Sequence, residues 1–100
     1  MKYTKTRGED GGTVVAIEGT LDAVTAPELR QVVDELVEEQ VPRVKLELSG
    51  LRLIDSSGVG VIVSLFKRLR AVGGQVEIVG VRDQPLAIFK LLRLDRVFPM

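Results

Sequence analysis

The stretch VKLELSGLRLIDSSGVGVIVSLFKRLRAVGGQVEIVG, residues 44–80, changes its apolar period twice. Val44, Leu46 and Leu48 alternate with Lys45 and Glu47, which predicts a strand covered on one face and wet on the other. After LRLI and Asp55 the period becomes helical. Val59, Ile62, Val63, Phe66 and Leu69 form a stripe over residues 56–72, widened by Val61 and Leu65. Lys67, Arg68 and Arg70 fill the last turns, where cations suit the helix dipole and are most simply solvated. Gly73-Gly74 stops the helix, and QVEIVGV (75–81) reads as a second strand. A strand–helix–strand unit with short connections implies parallel pairing.

Working outward, TVVAIEG (13–19) is rich in β-branched residues and predicts a strand. The alternating KYTKTR (2–7) precedes it across the turn GEDGG, so these two segments predict a hairpin with KYTKTR at the sheet edge. Residues 25–40 predict a helix. Thr25 and Glu28 have the spacing of a capping box, and Pro27 fits the first turn. Ala26, Leu29, Val33, Leu36 and Val37 make its apolar face, and Asp34, Glu35, Glu38 and Glu39 its solvated one. RDQPLAIFKLLRLD (82–95) predicts a short helix anchored by Leu86, Phe89 and Leu92 or Leu91. RVFPM reads as the stub of a last strand. The fold class is therefore α/β: one domain over residues 1–100, with a mixed, mainly parallel sheet of about four to five strands and helices packed on one face.

Composition excludes several kinds of chemistry. The chain has no histidine and no cysteine, so a Ser-His-Asp triad, thiolate chemistry and the usual zinc ligands are absent. Zero net charge and four aromatic residues in 100 argue against a nucleic-acid partner. The polar N-terminal segment does not read as a signal peptide. No apolar run approaches the roughly twenty residues that span a bilayer. A cytoplasmic protein without membrane insertion is the expectation, and no cofactor or metal site is expected.

The turn LIDSSGVG (53–60) carries the chemistry. It lacks the G-x-S-x-G of a nucleophile elbow, the lysine of a phosphate-binding loop and the third glycine of a dinucleotide fingerprint. Asp55 or Ser56 reads as the N-cap of the following helix. One cap leaves a second serine and two glycines unexplained, although glycine costs about 1 kcal/mol against alanine within a helix. Gly58 and Gly60 read either as tight packing against a strand or as room for a partner. A serine here can carry a phosphate, because free N–H groups and the dipole favour negative charge. The residues alone leave Ser56 and Ser57 equal as acceptors.

Residues 44–80 closely resemble the anti-sigma factor antagonists of the STAS domain family. Asp55, Ser56, Ser57, Gly58 and Gly60 stand at that family's Asp-Ser-Ser/Thr-Gly-x-Gly signature. IEGTLDAVTAPELR (17–30) resembles its second motif through Gly19, Leu21, Asp22, Ala26 and Leu29, and LLRLDRVF resembles its closing helix and strand. Arg93 departs from the small residue frequent in relatives. The resemblance implies a non-enzymatic regulator whose unphosphorylated form binds an anti-sigma factor that is also a serine kinase, thereby releasing a sigma factor. Phosphorylation of the second serine, here Ser57, ends binding, and a serine phosphatase restores it. Asp22, Asp55, Ser56, Gly58 and Gly60 would flank the acceptor at the partner surface. Asp22 has an equal reading as a loop turn or extra cap. The resemblance leaves room for a homodimer, and for a scaffold subunit of a stressosome or of a transporter or lipid-trafficking complex.

Overall fold

The computed structural model describes residues 1–8, 10–98 and 100, so Glu9 of the GEDGG turn and Pro99 of the RVFPM tail lie outside the described residues. Strand β1 (Lys2–Arg7) and strand β2 (Thr13–Leu21) form the expected antiparallel hairpin. Helix α1 (Ala26–Glu38), strand β3 (Arg43–Ile54), helix α2 (Ser56–Ala71), strand β4 (Gln75–Val79) and helix α3 (Asp83–Leu91) follow. The sheet has four strands in the order β1-β2-β3-β4, with β2, β3 and β4 parallel.

The strand burial shows which sheet face the helices cover. Val15 and Ile17 of β2, Val44, Leu46 and Leu48 of β3, and Val76 and Ile78 of β4 are all buried. Their alternate neighbours Lys45, Gln75 and Glu77 are exposed. One face is therefore packed and the other wet, as the alternation predicts. Against the packed face lie Leu29, Val32, Val33 and Leu36 of α1, Val61, Ile62, Leu65 and Leu69 of α2, and Phe89 of α3. The centre of the α2 stripe is Val61, Ile62 and Leu65, whereas Val63 and Phe66 are only half-buried.

Strand β3 is longer than its alternation suggests. Its pairing with β2 slips between Ala16 and Glu18 and again between Gly19 and Thr20, so β3 carries two extra residues. After Val44, Leu46 and Leu48 the core positions become Leu51 and Ile54, and the apolar spacing changes from two to three. The bulges keep both residues inside and bring β3 to an end beside the end of β2, where Leu21 pairs with Ile54.

Three expectations are corrected. Thr25 does not form the capping box: its backbone is already helical and its side chain caps no N–H of α1. Its hydroxyl donates instead to the Thr20 carbonyl at 3.0 Å. No strand follows α3 among the described residues; a 3-10 turn (Leu94–Arg96) brings Phe98 into the core, edge-on to Phe66 at 4.9 Å. Leu91 and Leu92 are not anchors of α3, since both are largely exposed. Pro85 and Phe89 are its buried residues.

The charged faces satisfy each other across elements. Arg68 of α2 reaches Asp34 of α1 at 2.7 Å, and Lys5 of β1 lies 3.4 Å from Glu35 and 3.3 Å from Glu39. Arg70 sits over the Phe66 ring at 5.7 Å. The ion pairs link α1 to β1 and α2, while Arg70 and Phe66 meet within α2; exposed pairs of this kind contribute only about 0–1 kcal/mol each.

Candidate functional site at the ends of β2 and β3

Parallel strands end on the same side of a sheet. The loop of Asp22 and the turn of Asp55 therefore emerge together, each one residue past the Leu21–Ile54 pair. The Asp55 N–H donates to the Leu21 carbonyl at 3.1 Å and continues the ladder by one bond. Asp55 then caps α2. Its backbone is extended, and its carboxylate accepts from the Gly58 N–H at 3.1 Å. The Val59 N–H closes the first turn onto the Asp55 carbonyl at 3.0 Å. The cap, left open between Asp55 and Ser56 by the sequence, belongs to Asp55.

Ser56 and Ser57 are the first two residues of α2. Ser56 is exposed and Ser57 half-buried. No side-chain hydrogen bond engages either hydroxyl among the described residues. With the capping role taken by Asp55, both hydroxyls stand free at a helix end whose unpaired N–H groups favour negative charge.

The two glycines differ. Gly58 is buried, and a Cβ there would lie 2.7 Å from Leu21 Cγ and 2.8 Å from both Ile54 Cγ1 and the Leu21 carbonyl oxygen. Of the two readings of Gly58, tight packing is the one this geometry matches: the space a Cβ would take is filled by the ends of β2 and β3, and glycine is what lets α2 seat on them. Gly60 is exposed, and a Cβ there would meet nothing within 4 Å. Of the two, only Gly60 opens onto free surface.

Asp22 closes its own loop. Its carboxylate accepts from the Val24 N–H at 2.9 Å and the Thr25 N–H at 3.1 Å, and lies 3.2 Å from the Thr25 hydroxyl, whose single proton is shared with the Thr20 carbonyl. Its N–H donates back to Thr25 Oγ1 at 2.9 Å. The Thr25 N–H, foremost among these donors, holds the Asp22 carboxyl below the usual aspartate range, and burial opposes the shift. A depressed acid stabilises the fold above its unfolded pKa of about 3.9, and that contribution fades as pH falls through the lower folded value. Asp22→Asn is therefore expected to lose stability near neutral pH and to converge on the unsubstituted protein in acid. Urea midpoints measured from pH 6 down to pH 2 check this; a constant gap over that range would contradict it.

Three residues near the site gave no signal in the sequence. Val24, in the Asp22 loop, is 85% exposed, and Leu53, beside Ile54, is 52% exposed. Both are apolar flanks, and Leu53 faces outward because of the second β3 bulge. The third is Gln84, whose side-chain amide bonds the Ile54 backbone from 30 residues away. Among the described residues no acidic cluster could hold a metal ion. None of the described helices is long and apolar enough to cross a membrane.

A four-stranded sheet with helices on one face and an acid-capped Ser-Ser-Gly-x-Gly helix start defines the STAS class. The family model described as "STAS domain" matches residues 3–100, and the chain belongs to that family. It is 29% identical over 91 residues to a protein of Paenibacillus polymyxa named "Anti-sigma F factor antagonist", covering 90% of this chain and 78% of that one. A solved anti-sigma factor antagonist from Mycobacterium paratuberculosis superposes with a TM-score of 0.84 at 27% identity, over 98% of this chain and 84% of that one. The phosphorylated form of the Bacillus cell fate determinant SpoIIAA shares the fold, with a TM-score of 0.80 at 19% identity over 99% and 89% of the two chains.

Proposed function

We propose that this chain is an anti-sigma factor antagonist, a regulator without enzymatic activity that works as one domain in the cytoplasm. Its unphosphorylated form binds an anti-sigma factor that is also a serine kinase, and a sigma factor is released. The kinase phosphorylates Ser57, the complex separates, and a serine phosphatase resets the cycle. One observation carries this reading: Asp55 holds the cap of α2, which leaves the Ser57 hydroxyl free at the helix start.

The physical logic is electrostatic. A phosphate adds about −1.5 to −2 charge at pH 7, and the free N–H groups of the first turn can take it without unfolding the helix. The added charge falls on a surface that already carries Asp55 and Asp22. A partner fitted to the bare hydroxyl then meets repulsion and an uncompensated desolvation cost. Ser56, Gly60 and the outer edges of Asp22 and Asp55 form the rest of the docking surface. The assignment of Ser57 over Ser56 rests on the family signature.

Intact mass of the native protein before and after phosphatase treatment, with site mapping, tests the reading. One removable phosphate on Ser57 supports it. A chain that stays unmodified across growth and stress conditions contradicts it and favours a scaffold role. In titrations against the kinase, Ser57→Ala is expected to bind as tightly as the unsubstituted chain and to resist release by ATP. Ser57→Asp is expected to bind at least about tenfold more weakly, the equivalent of 1.4 kcal/mol. Equal affinity of the two variants would remove the electrostatic argument.

A further inference from the structure

The open edge of β3 ends directly at the Ser57 turn, and the way it is closed points to a positioning residue. β4 pairs with β3 only from Arg43 to Glu47. Gly80 turns to a φ of +73° just after β4, and the chain leaves the sheet. Beyond that point β3 runs on to Ile54 with no strand on that side among the described residues. The Asp55 N–H points to Leu21 on β2. The Ile54 N–H and carbonyl, by the alternation of a parallel ladder, point the opposite way, to the vacant edge.

Gln84 fills that edge. Its Oε1 accepts from the Ile54 N–H at 2.9 Å, and its Nε2 donates to the Ile54 carbonyl at 2.9 Å. A primary amide reproduces the donor and acceptor of a strand residue, and only one orientation of the amide satisfies both bonds. Arg82 adds a bond from Nε to the Ser49 carbonyl at 3.1 Å. Between these two residues, Asp83 takes a φ of +56°, a conformation that L-residues other than Asn and Asp seldom adopt. The start of α3 is thus bent to place Gln84 on the residue immediately before the α2 cap.

We infer that Gln84 is a positioning residue for the Ser57 turn: by holding the Ile54 peptide it fixes Asp55 as the cap of α2, and it couples α3 to the presentation of Ser57. The functional importance of this coupling rests on the reading of Ser57 above, but the coupling itself does not. Such coupling is reciprocal, so a charge added at Ser57 is felt at Gln84.

Amide hydrogen exchange on the whole chain, unsubstituted and as Gln84→Met, tests the clamp. Methionine keeps the length and loses both polar partners. The Ile54 and Gly58 N–H groups are both expected to exchange about tenfold faster, while amides of the sheet centre such as Leu46 keep their protection. Acceleration at Ile54 alone, or at neither, would overturn the inference. Gln84→Glu gives a second reading should the methionine chain fold poorly. At pH 7 its carboxylate accepts from the Ile54 N–H but cannot donate to the carbonyl. Its second oxygen faces the Ile54 carbonyl where the amide donor stood, so the Ile54 and Gly58 N–H groups are again expected to exchange about tenfold faster; unchanged protection at both would overturn the inference. A chain synthesised with phosphoserine at position 57 tests reciprocity: the Gln84 side-chain NH₂ resonances are expected to shift, and unchanged resonances would refute the coupling. None of these measurements uses the kinase. The clamp can therefore fail while Ser57 proves to be the phosphate acceptor, or hold while it does not.

Discussion

Gly58→Ala and Gly60→Ala are expected to move stability in opposite directions although the two residues sit in one turn of one helix. At Gly58 the added methyl would fall 2.8 Å from the Leu21 carbonyl oxygen and within 2.8 Å of the Leu21 and Ile54 side chains. Two of these contacts are with branched side chains packed in the core, and the third is with backbone that already accepts from the Asp55 N–H. None is a flexible end that can swing away. Overpacking of this kind costs about 1–3 kcal/mol, against which the gain in helix propensity of about 1 kcal/mol is the smaller term. At Gly60 a methyl meets nothing within 4 Å. Only the propensity gain remains, and Gly60→Ala is expected to stabilise by about 0.5–1 kcal/mol. Urea unfolding of the two variants, with the slope unchanged, reads the difference directly. A shift of the same sign in both would mean that α2 does not seat on Leu21 and Ile54 as described. Because the Gly58 clash pushes on the strand ends beneath Asp55, that variant is also expected to disturb the Ser57 turn, whereas Gly60→Ala leaves the fold intact and alters only the outer surface.

What the sequence made legible depended on how local the deciding interaction is. Helix α2 and the first half of β3 announce themselves because most of their side chains' fates follow from phase in a single element, and the charge at the end of α2 agrees with that phase. The glycine pair was legible as a pair, but the division of labour was not. Whether a Cβ fits at Gly58 depends on Leu21, which arrives from another strand. Thr25 followed by Glu28 has the spacing of a capping box, yet Asp22 takes the Thr25 N–H with its carboxylate and occupies Thr25 Oγ1 with its own N–H. At the C-terminus, Leu91, Leu92 and Leu94 stand within four positions. A helical period cannot choose among them, and it does not reveal that Phe98 folds back edge-on to Phe66. Gln84 lay beyond reach for a different reason. Its partner is a backbone group, and every residue has the same one.

Phe89→Ala is expected to cost about 3–5 kcal/mol, the range for an aromatic side chain removed from a closed core. Phe89 has 0% exposure and belongs to the cluster that also contains Leu46, Leu65 and Ile78. It is one of only two buried residues of α3. The other, Pro85, is smaller and lies at the start of the helix, so no neighbour on α3 can take over the space. Total stabilities of domains this size are about 5–15 kcal/mol, and the loss is a large share of that. Its form is as informative as its size. If α3 is integral to the core, circular dichroism and Tyr3 fluorescence are expected to report one transition at a lower midpoint, since Tyr3 lies on β1 at the far edge of the sheet. A separate early step, with helix signal lost while Tyr3 is unchanged, would show instead that α3 undocks alone. The predicted single transition follows from where Phe89 sits. Its ring is buried in the one continuous apolar cluster to which β3, β4 and α2 also contribute, so the cavity it leaves opens inside the shared core and not in a separate α3 patch.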